Sequence, residues 1–182
     1  MTSYVKLFDS AEMDNAVCEL ARQISSHFCD TGKEFALVGI HQLGVPLAQR
    51  LHDKLLESGI KSEIGMLDIT MYRDDIGTRN MLPRIHETII PFDVNDRVII
   101  LVDDVLSSGR TIRAALDALT DYGRPGLIRL AVLVDRGDPE FPIRADFVGF
   151  NVSLPAERKV LVNFEDIPGM DAGIYDVNWQ TK

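Results

Sequence analysis

Hydrophobic and polar positions along the chain follow two alternating patterns. Apolar residues recur every three or four positions, as on one face of a helix, in residues 9–32, 45–57 and 111–122. Residues 35–40 form a continuous apolar run, typical of a strand buried on both faces. Residues 63–70 are a further strand candidate, and the mostly apolar residues 97–102 and 127–134 predict two more buried strands. This alternation predicts an α/β fold with a mainly parallel central sheet flanked by helices.

The ends of the predicted helices carry local stop and start signals. Asp9 is expected to be the N-cap of the first helix, and Glu12 three residues later completes a capping-box pattern. Gly32, Gly59 and Gly123 are expected to end the three helices, because glycine tolerates the left-handed backbone that follows a helix.

Two regions interrupt the alternation. Residues 72–91 form a long polar stretch with Gly77 and Pro83, and a connection of that length is usually a functional or flexible loop. After Pro139, the short apolar stretches 147–148 and 160–162 predict a small accessory sheet, or hood, built from the C-terminal region. We expect residues 1–182 to form a single domain with this hood and flexible loop.

Composition and charge narrow the classes of protein. The chain has 182 residues, 46% of them hydrophobic, and a net charge of −9, which disfavours a general nucleic-acid binder. The apolar runs are too short to span a membrane, and the N-terminus lacks the apolar core of a signal peptide, so a cytoplasmic location is expected. Cys18 and Cys29 are expected to be reduced thiols, since their spacing fits neither a zinc site nor a disulfide within one helix.

One segment, residues 98–111, combines the residue types of a ligand site. An apolar strand runs into Asp103 and Asp104, then into the small-residue turn 107–111, and then into a helix. The turn presents consecutive backbone N–H groups at a helix N-terminus, where a phosphate is favoured. Gly109 permits close backbone approach, and the hydroxyls of Ser108 and Thr111 add donors.

The two carboxylates would repel a bare phosphate, so the ligand should carry hydroxyls or a cation beside its phosphate. A phosphorylated ribose meets this requirement, because its hydroxyls donate to carboxylates. The segment lacks the Lys and glycine spacing of a Walker loop and the glycine pattern of a dinucleotide fold.

This segment resembles the signature of type I phosphoribosyltransferases, which bind phosphoribosyl pyrophosphate (PRPP). Further stretches resemble the PyrR family, whose members regulate pyrimidine operons and are uracil phosphoribosyltransferases. These stretches are residues 68–75, 117–125, 131–137 and 142–149. The likeness extends from about Asp9 to Tyr175, nearly the whole chain.

The resemblance implies a type I phosphoribosyltransferase fold and the reaction of uracil with PRPP to give UMP and diphosphate. The implied catalytic residues are Arg73, Asp103 and Asp104. The implied PRPP-binding and phosphate-binding residues are Asp103, Asp104, Val105, Leu106, Ser107, Ser108, Gly109, Arg110 and Thr111. The implied pyrophosphate loop is His41, Gln42, Leu43 and Gly44, and the implied base-binding residues are Val134, Asp135 and Arg136. Mg²⁺ is implied as a cofactor held chiefly through PRPP and diphosphate, with no protein metal ligands.

Some positions depart from the family pattern or remain open to a second interpretation. Many relatives carry an Arg in the pyrophosphate loop, where this chain has Gln42 and Leu43. In the flexible loop, Arg73 is the best candidate to meet pyrophosphate oxygens, with Arg79 and Arg84 as further candidates. For each of these, a solvated loop charge is the alternative.

Two other transferase classes share parts of the pattern. A 6-oxopurine transferase typically has a carboxylate at the position of Ser107, which argues against that class. A dedicated uracil transferase would share the reaction, and residues 167–173 are faintly similar to its uracil-binding tail. The alternative function is therefore a phosphoribosyltransferase of pyrimidine or purine salvage that does not bind RNA.

Partners other than small molecules follow from the resemblance alone. PyrR proteins of some bacteria bind the leader RNA of the pyrimidine operon when UMP is present. The candidate RNA contacts are Arg22, Arg124, Arg144, Arg158 and Lys159. Phe150 stands where several RNA-binding relatives have a Lys, and it opposes this role. A homodimer or higher homo-oligomer is also implied.

Overall fold

A computed structural model of the protein describes residues 3–28, 34–74, 85–165 and 167–178. The helices are α1 (Ser10–Phe28), α2 (Gly44–Glu57) and α3 (Arg110–Thr120). The strands are β1 (Ser3–Asp9), β2 (Phe35–Ile40), β3 (Glu63–Leu67), β4 (Val98–Leu106), β5 (Leu127–Asp135), β6 (Phe147–Asn151), β7 (Arg158–Asn163) and β8 (Gly173–Asn178).

The central sheet of the described residues is parallel throughout and has the strand order β3-β2-β4-β5-β6. Every residue of β2 is buried, as its continuous apolar sequence requires. Alternate residues of β4 enter different cores: Ile100 and Val102 pack with α1 and α2, and Ile99 and Leu101 pack with α3. The predicted α/β fold with helices on both faces of a parallel sheet is therefore confirmed.

The accessory sheet is built from different strands than the sequence predicts. It is antiparallel with the order β1-β8-β7, so the N-terminal strand β1 joins C-terminal strands to form the hood. Strand β1 escaped prediction because it is a mixed sequence with Tyr4 and Val5 exposed, and it gains its pairing from β8 at the other end of the chain. Of the two predicted hood strands, 160–162 lies in the hood as β7.

The other predicted hood strand, 147–148, was placed wrongly. It belongs to β6, which lies beside β5 at the edge of the central sheet. The carboxylate of Asp146 holds it there, accepting a 2.9 Å hydrogen bond from the backbone N–H of Leu130 and another from Arg129. Buried Phe147 then packs into the core that contains α1.

Element ends were predicted less accurately than elements. Strand β3 stops at Leu67 and not at residue 70, because the Asp68 carboxylate accepts the backbone N–H of Thr70 at 2.6 Å and turns the chain into the short 3₁₀ helix Thr70–Tyr72. Strand β4 extends beyond residue 102 to include both predicted catalytic carboxylates.

The capping box at the start of α1 is confirmed: Asp9 and Glu12 exchange two backbone-to-carboxylate bonds of 2.9 Å. The predicted helix end at Gly32 and the thiol of Cys29 lie outside the described residues, and Cys18 is an exposed free thiol. Within the described ranges, each helix is too short or too polar to cross a bilayer.

Candidate active site

Three strands deliver the predicted site residues to one edge of the sheet. Strands β2, β4 and β5 run parallel, so their carboxyl ends meet where ligands bind in open α/β sheets. The register pairs Gly39 with Val102 and Leu106 with Asp135. The structure therefore brings together the three predicted groups of residues, namely 41–44, 103–111 and 134–136.

The turn after β4 has the geometry of an anion site. Gly109 adopts a left-handed backbone with φ of 86°, and α3 begins at the next residue. The first-turn N–H groups of a helix lack helical partners, and the first turn of α3 carries no acidic residue that would compete with an anion. Backbone N–H groups of Glu140 and Phe141 both donate to the Ser108 carbonyl at 3.0 Å, which fixes the turn from outside.

The two carboxylates before this turn have different exposure. Asp103 is buried, with 5% of its surface exposed, and Asp104 is half-buried. The backbone N–H of Asp104 donates to Asp103 Oδ1 at 3.1 Å. Burial, and next the negative charge of Asp104, raises the pKa of Asp103 well above 3.8. Burial also raises the pKa of Asp104. A cation or hydroxyl donors would therefore stabilise the ionised form of the pair.

Arg73 lies within electrostatic reach of the acid pair, since its charge opposes the rise in the pKa of Asp103. It directly follows the 3₁₀ helix, whose last residue is anchored to α3. There, Arg113 Nη2 donates to the Tyr72 carbonyl at 3.1 Å, and the Tyr72 hydroxyl donates to Asp121. The described start of the predicted flexible loop is thus fixed to a helix, while Arg79 and Arg84 lie outside the described residues.

Arg110 was predicted to bind PRPP, but its guanidinium is engaged on the protein surface. It donates to Asp74 at 2.8 Å and to Glu140 at 2.7 Å. These ion pairs tie the start of α3 to both neighbouring loops. The backbone N–H of Arg110 still belongs to the turn, so its contribution to ligand binding would come from the backbone.

The predicted pyrophosphate loop follows β2 as a tight turn into α2. Its peptide between His41 and Gln42 is cis, and Leu43 packs against the core beside α1 and α2. Gly44 lies against β4: an added Cβ would stand 2.3 Å from the carbonyl oxygen of Val102. Glycine is required here because the loop and the acid-bearing strand are in direct backbone contact.

A histidine pair beside this loop was not found by sequence reasoning. The rings of His41 and His86 stack with centroids 4.7 Å apart, and the backbone N–H of His86 donates to Asp68. Burial, and next the charge of His86, lowers the pKa of His41 below 6.5. Its buried Nε2 has no hydrogen-bond partner among the described residues. In the sequence, Asp68 was indicated only as part of residues 68–75, one of the stretches that resemble the PyrR family.

Asp68 anchors the far end of the predicted flexible loop. Burial alone would raise the pKa of Asp68, but hydrogen bonds from Thr70 and from the backbone of His86 lower it below 3.8. Its own backbone N–H donates to Thr88 at 3.0 Å, and Ile89 pairs with Met66 of β3. The described residues 85–91 are therefore attached to the sheet edge.

The predicted base-binding residues lie at the end of β5. Val134 is buried, and the Asp135 carboxylate accepts the backbone N–H of Gly137 at 2.8 Å, which engages it in a local turn. The side chain of Arg136 is nearly buried and pairs with Asp138 at 3.1 Å. Asp138 was missed in the sequence because it lies in a loop without a local pattern.

Within the described ranges, no group of three or more His, Cys, Asp or Glu side chains is placed to hold a metal ion.

Comparison with known proteins identifies the family. The phosphoribosyl transferase domain family matches residues 3–160. The chain belongs to this family. The bifunctional protein PyrR of Roseiflexus sp. is 46% identical over 173 residues, covering 94% of each chain. PyrR of Deinococcus radiodurans is 49% identical over 167 residues, 91% of this chain and 90% of that protein. At these identities and coverages the chain is a PyrR-type member of the family.

Solved structures of hypoxanthine phosphoribosyltransferases share the fold at much lower identity. The Trypanosoma cruzi enzyme superposes with a TM-score of 0.74 at 15% identity, covering 96% of this chain and 97% of that chain. A hypoxanthine-guanine enzyme of Bacillus anthracis gives 0.72 at 19% identity, covering 94% and 96%. These similarities support the type I phosphoribosyltransferase architecture and carry no information on the base.

The candidate RNA-binding cations lie on several separate elements of this PyrR-type chain. Arg22 on α1 pairs with Glu19 at 2.6 Å, and Arg158 on β7 pairs with Asp176 at 2.6 Å, so both are neutralised locally. Phe150 stacks on Phe8 with ring centroids 3.8 Å apart, joining the hood to the central sheet. Its ring is therefore a packing contact.

Proposed function

We propose that the protein is a uracil phosphoribosyltransferase that converts uracil and PRPP to UMP and diphosphate. The observation that carries the proposal is the end of β4, where buried Asp103 and half-buried Asp104 are followed by a left-handed glycine and a helix N-terminus. This order of groups suits a ligand with ribose hydroxyls next to a phosphate. Whole-length similarity to PyrR proteins supports the choice of a pyrimidine base.

Each group has a distinct task in the proposed reaction. Backbone N–H groups of the turn from Ser108 to Thr111 bind the 5′-phosphate, helped by the dipole of α3. Asp103 and Asp104 accept hydrogen bonds from the ribose hydroxyls. Backbone donors of the 41–44 loop and the charge of Arg73 bind the diphosphate.

The chemical step is a displacement at the anomeric carbon. The uracil N1 to C1′ bond forms as the bond from C1′ to the diphosphate oxygen breaks, the N1 proton passes to water or to the departing diphosphate, and positive charge develops on the sugar in the transition state. The carboxylates of Asp103 and Asp104 stabilise that charge, and Arg73 stabilises the leaving diphosphate. Positioning of the two substrates supplies a further share of the rate enhancement.

Mg²⁺ fits this site as part of the substrate complex. When bound, it would neutralise the diphosphate, since Mg²⁺ is usually held by substrate phosphates, waters and one or two carboxylates. A nearby cation would stabilise the ionised forms of Asp103 and Asp104, whose pKa values are both raised. Asp103 and Asp104 are the residues positioned to hold it through the ribose hydroxyls or a water.

The proposal is tested by incubating the protein with PRPP, Mg²⁺ and one base at a time: uracil, hypoxanthine, guanine or orotate. We expect nucleotide to form from uracil alone, with parallel release of diphosphate, and no product when EDTA replaces Mg²⁺. Nucleotide formation from guanine or hypoxanthine with none from uracil would refute the assignment and favour purine salvage.

A second proposed function is UMP-responsive binding of pyrimidine operon leader RNA, as expected for a PyrR family member. It is supported by the relatives' description as bifunctional and opposed by the net charge of −9 and the packed ring of Phe150. Titration of the leader transcript should give binding that UMP tightens and that weakens with salt, with a log–log slope of about −0.7 per neutralised phosphate. If the RNA does not shift at micromolar protein and low salt, the RNA-binding function is refuted and only the transferase function remains proposed.

A homodimer or larger homo-oligomer is proposed from the family and is checked by light scattering.

A further inference from the structure

The hydroxyl of Ser107 is already committed to a partner. Its Oγ donates to Oδ1 of Asp138 over 3.2 Å, across 31 residues of sequence. The other oxygen of the same carboxylate lies 3.1 Å from Nη2 of Arg136. Asp138 therefore links the turn after β4 to the base-binding end of β5.

This hydrogen bond determines what Ser107 can offer a ligand. A hydroxyl has one hydrogen and two lone pairs, and a carboxylate paired with a guanidinium only accepts. With its hydrogen directed at Asp138, Ser107 Oγ presents lone pairs and can accept from a ligand. A phosphate oxygen needs donors, and the negative charge of Asp138 would also repel it. The Ser107 side chain is thus unsuited to the 5′-phosphate for which the sequence resemblance assigned it.

The position of Ser107 lies at the boundary with the base-binding segment. The preceding residue, Leu106, pairs with Asp135 in the β4–β5 register, and the backbone N–H of Arg136 donates to the Leu106 carbonyl at 2.9 Å. Ser107 is half-exposed, and 43% of the Asp138 side chain remains exposed, so both are accessible to a ligand.

We propose that Ser107, polarised by Asp138, is a hydrogen-bond acceptor for a ring N–H of the nucleobase and contributes to base recognition. The inference rests on the proposed transferase function and refines it. In this arrangement Ser107 is a base-contacting residue, and Asp138 is a positioning residue that orients the Ser107 hydroxyl. Bases that present a lone pair in place of that N–H would meet two acceptors facing each other and bind poorly.

Asp138 has a second partner, which shapes the choice of variants. The Arg136 side chain is 7% exposed, and its Nε has no hydrogen-bond partner among the described residues. Apart from Asp138, its Nη2 donates weakly to the Pro155 carbonyl at 3.4 Å. Removing the carboxylate therefore disturbs Arg136 as well, and the cleaner probe of the acceptor is Ser107→Ala.

The test is steady-state kinetics of Ser107→Ala, Asp138→Asn and the double variant, with each substrate varied in turn. Loss of one hydrogen bond of about 0.5–1.5 kcal/mol corresponds to a rise of roughly 2- to 13-fold in the KM for uracil for Ser107→Ala. The KM for PRPP should change less than about twofold. Because the two residues act as a unit, the double variant should be close to Asp138→Asn alone.

Two further variants separate recognition from structural damage. Ser107→Thr keeps the hydroxyl and should restore the KM for uracil. Asp14→Asn removes an exposed carboxylate that pairs with Arg50 at 3.4 Å away from the strand ends, and it should leave both KM values unchanged. A raised KM for PRPP with an unchanged KM for uracil in Ser107→Ala would overturn the inference. So would an equal rise in both accompanied by a lower Tm.

Failure of the proposed function is distinguishable from failure of this inference. If the wild type makes no UMP from uracil, the proposed function is wrong, and PRPP binding by calorimetry then tests Ser107 directly. Equal PRPP affinity in the wild type and Ser107→Ala supports a side chain outside the phosphate site, and weaker binding overturns it. A wild type that binds no PRPP overturns both.

Discussion

The turn after β4 and the loop after β2 occupy equivalent places in the fold and solve different problems. Both lead from a parallel strand into a helix, and both are expected to bind an anionic part of PRPP. In the β4 turn, Gly109 supplies a left-handed backbone at a helix N-terminus. In the β2 loop, Gly44 supplies space, because the chain passes directly against Val102 and Asp103. Glycine is therefore required in the two loops for different reasons: a left-handed backbone at Gly109 and close backbone contact at Gly44.

The largest expected effect is a loss of stability when Gly44, which has no room for a side chain, is replaced. Gly44→Ala would place Cβ 2.3 Å from the Val102 carbonyl oxygen, backbone against backbone, where no side chain can move aside. We expect a loss of about 3 kcal/mol in the free energy of unfolding, measured by urea denaturation. The matched control is Gly59→Ala, which has nothing within 4 Å and a φ of +78°, so it reports backbone strain alone. Equal losses in the two variants would contradict the close-contact explanation.

The acid pair should give the next largest effect, on activity. Asp103→Asn and Asp104→Asn each remove a charged acceptor for the ribose hydroxyls, a hydrogen bond worth about 1.5–3 kcal/mol. We expect kcat/KM for PRPP to fall roughly 10- to 100-fold. Unchanged PRPP kinetics in the double variant would mean that the carboxylates are structural.

Asp103→Asn, which should lower activity, should raise the stability of the folded protein. Because the folded pKa of Asp103 lies well above 3.8, the native state binds a proton that the unfolded chain has released, and stability falls as pH rises through that raised pKa. Asp103→Asn removes this loss. The variant should therefore have a higher Tm than the wild type near pH 8, with a smaller gain at acidic pH. A gain that does not depend on pH would exclude the charge as its cause.

Gly109→Ala tests the glycine that is required for its left-handed backbone. An alanine there must adopt a left-handed backbone, which costs roughly 1–2 kcal/mol, and its Cβ would meet Phe141 Cβ at 3.3 Å. Since the turn would shift to relieve this strain, the KM for PRPP should rise while the fold persists. Circular dichroism checks the fold, and a loss of stability without any change in KM for PRPP would separate the turn from phosphate binding.

The smallest effect concerns the histidine pair beside the β2 loop. The pKa of His41 lies below 6.5, so the unfolded chain gains a proton before the native state does, and stability falls as pH drops below about 6.5. His41→Gln should flatten the dependence of Tm on pH between about 5 and 7. A dependence of Tm on pH that is the same in His41→Gln as in the wild type would contradict this explanation.

Local patterns and distant contacts were unequally predictable from the sequence. The helices, the buried strands and the acid pair followed from residue spacing within about ten positions, and the capping box at Asp9 was predicted in detail. Sheet membership was not, because β1 acquires its place by pairing with β8 and β6 by the Asp146 contact to β5. The partners of two site residues, Asp138 for Ser107 and His86 for His41, come from loops far along the chain and leave no local pattern.

The hood has a consequence for the order in which the protein can fold during synthesis. Strand β1 is synthesised before strand β8, with which it pairs. The central sheet from β2 to β6 lies between them in sequence and needs neither hood strand for its own hydrogen bonding. Until β8 has been made, the backbone groups of β1 lack their partner in the hood, although Phe8 can already stack on Phe150. Slow translation of the residues between β6 and β8 therefore prolongs the exposure of residues 3–9 to chaperone binding or to pairing between neighbouring chains.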